Sequence, residues 1–179
     1  MSPHRVVVDA NIPDFMYQHP AAREAMRSAV TGGSVELLVD AVVIDQVSKI
    51  GTGISGTADK RQTCVEIVDE LCTTVPMSAS VFGFGPFGEG PFGGSPPEQQ
   101  PIVRAVVGNT TSLRGGTHRD AIIAATAHRQ QAALATSDPR LIKIARRMGI
   151  EVLTPYELFH LVGFDLAAAE AAGTSDSTS

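Results

Sequence analysis

The sequence predicts an α/β fold, a three-layer sandwich built on a mainly parallel central sheet. Two observations carry this expectation. Short apolar runs at residues 4–9, 35–39, 133–135 and 150–153 have the length and composition of buried strands. Between them lie segments whose apolar residues recur at helical spacing. Short apolar strands alternating with helices make a sheet that is covered on both faces.

The elements follow in order. The first strand carries Val6-Val7-Val8 and ends on Asp9. Helical character follows through Pro20-Ala21-Ala22-Arg23-Glu24-Ala25-Met26 to about Val30, where Gly32-Gly33 stops it. A buried strand spans 35–39, and two helices, 42–50 and 59–72, flank a loop at 51–56. Residues 73–97 are irregular, helix returns over 99–107, and a polar loop covers 109–116. Thr117 opens a strong helix to about 131, followed by a strand at 133–135, a helix at 139–148, a strand at 150–153 and a helix at 155–162. The expected organisation is one domain over 1–163 with a Phe/Gly/Pro-rich insertion at about 78–98. An Ala/Ser/Thr/Gly-rich tail over 164–179 is expected to be flexible. The insertion, with Phe82, Phe84, Phe87 and Phe92 spaced by glycine and proline, is either a surface loop pinned by its own rings or a lid or docking segment.

Composition narrows the function classes. A chain of 179 residues is one domain with room for a sizeable core. A net charge of −5 excludes gripping nucleic acid through bulk positive charge, but not meeting phosphate through bound cations. Cys64 and Cys72 lie eight positions apart on one expected helix, roughly 12 Å along its axis. That is too far for a disulfide, so two reduced thiols are expected. With no apolar signal core and no run of ~20 apolar residues, the expectation is a soluble cytoplasmic protein with no membrane partner.

Four acids stand out: Asp9, Asp45, Asp120 and Asp138. Each alone has a structural explanation. Asp9 can end a strand and open a turn, and Asp45 can lie on a solvated helix face. Asp120 follows Thr117 by three and can stabilise the first turn of its helix. Asp138 before Pro139 is a helix N-cap with proline at the first helical position. Their arrangement says more. Asp9 and Asp138 follow two strands that, in a parallel sheet, end at the same edge, where ligand sites of open α/β folds form. Two carboxylates ~5 Å apart repel by roughly 3 kcal/mol at an effective dielectric of ~20. Such a cluster is tolerated when some acids are protonated or a divalent cation neutralises them, and oxygen donors suit Mg²⁺ or Mn²⁺.

Four segments together resemble the PIN-domain ribonucleases: Val6-Val7-Val8-Asp9-Ala10-Asn11, Val42-Val43-Ile44-Asp45, His118-Arg119-Asp120-Ala121-Ile122-Ile123-Ala124-Ala125-Thr126-Ala127 and Ala135-Thr136-Ser137-Asp138. The resemblance covers roughly residues 4–160 outside the insertion, and the last two segments are its most specific part. It departs from the family at Asp45, where a glutamate is usual, so Asp45 or Asp40 can be the second acid; the apolar lead-in favours Asp45. Arg140 also stands where a further acid is often found.

The resemblance implies a metal-dependent endoribonuclease, as in the toxins of toxin–antitoxin pairs. Asp9, Asp45, Asp120 and Asp138 would hold Mg²⁺ or Mn²⁺, with Asn11 and Thr136 orienting carboxylates. RNA is the implied substrate, an antitoxin the implied protein partner, and a homodimer the implied assembly. Arg140, Lys143 and Arg147 are spaced for one helix face and, with Arg119, could hold the phosphate backbone. That stripe is equally an ordinary solvated face. Two other classes compete: a PIN-like scaffold that binds without cutting, and a phosphotransfer fold with a nucleophilic Asp9. The second lacks an aspartate at position 11, where Asn11 stands, and a lysine after a later strand.

Overall fold

Val6, Val7 and Val8 are completely buried, as strands covered on both faces must be. In the computed structural model, which describes residues 2–51, 57–76 and 115–165, they lie in β1 (His4–Val8), the central strand of a five-stranded sheet. β2 (Val35–Val39) and β4 (Ala133–Ala135) flank it, β3 (Cys72–Thr74) and β5 (Val152–Leu153) form the edges, and every pairing is parallel. The order β3-β2-β1-β4-β5 reverses direction at β1, between the crossovers to β2 and to β4. Such a switch point opens a crevice beyond the carboxyl ends of the strands. Asp9 stands there, its N–H donating to the Ala135 carbonyl at 3.0 Å.

Among the described residues seven helices pack around the sheet: α1 (Asn11–Gln18), α2 (Pro20–Thr31), α3 (Ala41–Ser48), α4 (Ala58–Leu71), α5 (Gly115–Gln130), α6 (Pro139–Arg147) and α7 (Pro155–Leu161). The main core joins the strands to Ile12, Met16, Met26, Ile67, Ile123, Leu141 and Phe159, all at most 1 % exposed. A second, smaller cluster of Val42, Ile122 and Ala125 lies between α3 and α5.

Three expectations need correction. The first helical stretch is two helices, because Pro20 disfavours helical geometry at the residue before it and His19 sits at φ −126°, ψ 80°. Cys72 opens edge strand β3 instead of ending a helix, through its pairing with Leu37. α5 begins at Gly115, so Asp120 lies beyond the first turn and has no capping role. Cys64 and Cys72 are free thiols. Burial pushes them up to about 11 and about 12, so neither is a ready nucleophile. The insertion, the helix expected over 99–107 and the tail beyond Asp165 lie outside the described residues. Among the described residues no helix is long and apolar enough to cross a membrane.

Candidate active site

The ends of β1 and β4 deliver the first two acids. Asp9 follows Val8 directly and is partly buried. Its Oδ1 accepts from the Ala10 N–H at 2.7 Å, while Oδ2 accepts from Asn11 Nδ2 at 2.7 Å and from Thr136 Oγ1 at 2.8 Å. Thr136, fully buried just after β4, accepts in turn from the Asp138 N–H at 3.1 Å. Asn11 Oδ1 closes the loop by accepting from the Ser137 N–H at 3.2 Å. Asn11 and Thr136 therefore join the two strand ends through the Asp9 carboxylate. Asp138 caps α6, its Oδ1 accepting from the Arg140 and Leu141 N–H groups at 2.8 and 3.3 Å. The N-cap explanation for this residue thus holds, and Oδ2 receives no hydrogen bond among the described residues.

Asp120 arrives from α5, whose Ala121, Ile123, Ala124 and Ala127 belong to the main core. Its pKa is pushed up to about 6, by burial first and then by the charges of Asp138 and Asp9, with Arg140 partly offsetting them. Burial also raises Asp9, and Asp138 adds to it, against the hydrogen bonds from Thr136, Ala10 and Asn11. Three carboxyl groups from remote parts of the chain thus share one electrostatic neighbourhood.

The remaining candidates for a second acid are placed differently. Asp40, with no exposed surface, is the N-cap of α3. Burial raises its pKa and the Asp9 charge adds to it, opposed by hydrogen bonds from Thr126, Val43 and Val42. Asp45 lies about one and a half turns further along α3, 40 % exposed, paired with Lys49 at 2.5 Å and with Arg119 at 3.7 Å. Arg119 thus faces an acid on the neighbouring helix, next to Asp120 in the chain. On α6, Arg140, Lys143 and Arg147 are exposed, and Lys143 and Arg147 make no ion pair among the described residues. Thr126 was visible in the sequence only as part of an apolar helix face; its signal was a lone hydroxyl in a buried Ala/Ile run.

No protein-family model and no curated protein sequence matches the chain. Solved structures do. The PIN domain endonuclease Utp24 superposes with a TM-score of 0.50 at 17 % identity, covering 85 % of each chain. The fold is that of a PIN domain. VapBC2 from Rickettsia felis, solved bound to a DNA fragment from its promoter, matches with a TM-score of 0.52 at 14 % identity. That match covers 84 % of this chain and 98 % of the other.

The PIN fold raises the question of a divalent cation, which the donor chemistry can test. The clustered groups offer oxygen only, and repulsion among Asp9, Asp120 and Asp138 is what a hard dication relieves. Asp120 also receives no hydrogen bond from a described residue. In this arrangement no three His, Cys, Asp or Glu side chains among the described residues are grouped closely enough to clasp one ion. The donor chemistry, oxygen throughout, is of the kind that suits Mg²⁺ or Mn²⁺.

Proposed function

We propose that this PIN domain is a metal-dependent endoribonuclease that hydrolyses RNA phosphodiester bonds. The observation that carries the proposal is the raised pKa of both Asp120 and Asp9 at the carboxyl edge of a parallel sheet, from burial first, with the Asp138 charge adding to both and the Asp9 charge adding to Asp120. Asp9, Asp120 and Asp138, with Asp45 from α3, would hold Mg²⁺ or Mn²⁺. When bound, the cation supplies Lewis acidity toward a phosphoryl oxygen and a water of lowered pKa.

The chain's own residues do the rest. Thr136 and Asn11 hold the Asp9 carboxylate in one orientation, as outer hydrogen-bond partners of ligating carboxylates do. Arg140 lies near enough to Asp120 to lower its pKa, and begins the exposed cationic face continued by Lys143 and Arg147. That face would take phosphates beside the cut. The PIN-like toxins that the sequence resembles suggest a toxin's role, with an antitoxin as partner, a homodimeric assembly and action in the cytoplasm. The decisive assay compares cleavage of single-stranded and structured RNA by the wild type and Asp120→Asn, with Mn²⁺, Mg²⁺ or EDTA. Metal-dependent cleavage lost in the variant supports the proposal, and cleavage indifferent to EDTA or to the substitution refutes it.

A second reading is a PIN-like scaffold that binds RNA or a protein without cutting. The ion pairs of Asp45 with Lys49 and Arg119 favour it, since they occupy one of the four acids. RNA binding with no cleavage in any metal would select it.

A further inference from the structure

We propose that Asp40 and Thr126 form a buried clamp that fixes how α5 is turned, making Asp40 a positioning residue for Asp120. The proposal rests on the nuclease reading for its catalytic consequence, and its geometry stands independently.

Asp40 does more than a helix cap requires. One side-chain oxygen suffices to cap a helix, and serine or threonine supplies it. A fully buried carboxylate carries a desolvation penalty that a hydroxyl does not. What the carboxylate adds is a second acceptor oxygen. Oδ1 takes the Val42 and Val43 N–H groups at 3.0 and 3.1 Å, leaving Oδ2 to accept from Thr126 Oγ1 at 2.9 Å, across to α5. Thr126 is likewise unexplained by its own helix. It is completely buried and is the only polar side chain in the stretch 121–127. Threonine is a mediocre helix former.

Apolar packing and a directed hydrogen bond both bear on the rotation of α5. Its main-core contacts come from Ile123 with Ala121, Ala124 and Ala127, and its contact with α3 is the small cluster of Val42, Ile122 and Ala125. Apolar burial is non-directional, whereas a hydrogen bond has direction. At the far end Arg5 fastens α5 by donating to the Gln130 carbonyl at 2.7 Å, well away from Asp120. Thr126 shares a face with Ile122, toward α3, while Asp120 lies about 240° further back around the helix and about 9 Å along it. Holding Thr126 against Asp40 therefore sets the direction in which Asp120 leaves α5. The Arg119–Asp45 pair is a second tie, at 3.7 Å and half-exposed, where ion pairs contribute little.

The test uses the full chain and four variants, Thr126→Val, Thr126→Ser, Asp40→Ser and Asp40→Asn, with melting temperature, Mn²⁺ affinity by calorimetry, and kcat and KM for RNA cleavage. Thr126→Val should lower kcat and Mn²⁺ affinity at least ~10-fold with KM for RNA unchanged, and Thr126→Ser should restore both. Asp40→Ser, which keeps a cap but is too short to reach α5, should repeat the loss if Thr126→Val folds poorly. Asp40→Asn can donate from Nδ2 to the Thr126 oxygen and keep the cap through Oδ1, so it should retain most activity. Wild-type kcat and Mn²⁺ affinity in both Thr126→Val and Asp40→Ser would overturn the clamp. So would a loss in Asp40→Asn as complete as in Asp120→Asn, which would make Asp40 itself an acid of the site. A wild type that binds Mn²⁺ but cuts no RNA would end the nuclease reading, and the Mn²⁺ affinities alone would then decide the clamp. A wild type that does neither would overturn both.

Discussion

Thr136 donates a hydrogen bond of 2.8 Å to the Asp9 carboxylate across 127 positions of sequence, while its oxygen accepts from the Asp138 N–H. One buried hydroxyl thus fixes two acids of the proposed site against each other. Replacing it with valine keeps the shape, strips Asp9 of one donor and leaves the Asp138 N–H without its acceptor. Thr136→Val is expected to cost roughly 1–3 kcal/mol of stability and 10–100-fold in activity or Mn²⁺ affinity. Denaturant melts and metal titration would check both; wild-type values would remove Thr136 from the site.

Asp120→Asn should abolish RNA cleavage and yet stabilise the metal-free fold. The native Asp120 holds its proton up to about 6 against an ordinary 3.8, so between these values the folded state binds more protons than the unfolded one. Stability from this group therefore falls as pH rises through that window. The gain in melting temperature from Asp120→Asn should be present at pH 7.5 and vanish at pH 3.5. A gain of equal size at both would show that the buried charge of Asp120 is not its source.

Divalent cations should raise the melting temperature of the wild type, by an amount equivalent to about 2.7 kcal/mol at a hundred times the dissociation constant. EDTA should reverse the shift. Protons compete for Asp120 and Asp9, whose pKa values are both raised, so the shift should be larger at pH 7.5 than at pH 5. Asp9→Asn should remove it. A shift that survives Asp9→Asn would place the metal elsewhere.

Lys143→Ala and Arg147→Ala change exposed residues that make no ion pair among the described residues, so the fold should be indifferent to them. RNA affinity should fall for all sequences alike, and the slope of log K against log salt should decrease by about one per lost phosphate contact. An unchanged slope would return this face to the role of a plain solvated surface.

Much of the fold was legible because strands buried on both faces have to be apolar throughout, and Val6-Val7-Val8 and Ala133-Leu134-Ala135 advertise that in composition alone. The cap at Asp138 was legible too, since a cap and a following proline act within a few residues. β3 was not, because three residues of Cys and Thr hold no strand by themselves and pair only where β2 offers an edge. The break at His19 was signalled by Pro20, but the run of helix formers around it obscured the boundary.

The sequence by itself determined which segments become strands and helices, and which acids stand where a parallel sheet would gather them. Only the tertiary structure decided which carboxyl groups feel one another's charge. It also separated Asp40, buried and tied to Thr126, from Asp45, paired with Lys49 and Arg119 at the surface. The reason is range. Periodicity and capping act through neighbours along the chain, whereas desolvation and Coulomb repulsion depend on distances that exist only after the strands and helices have packed.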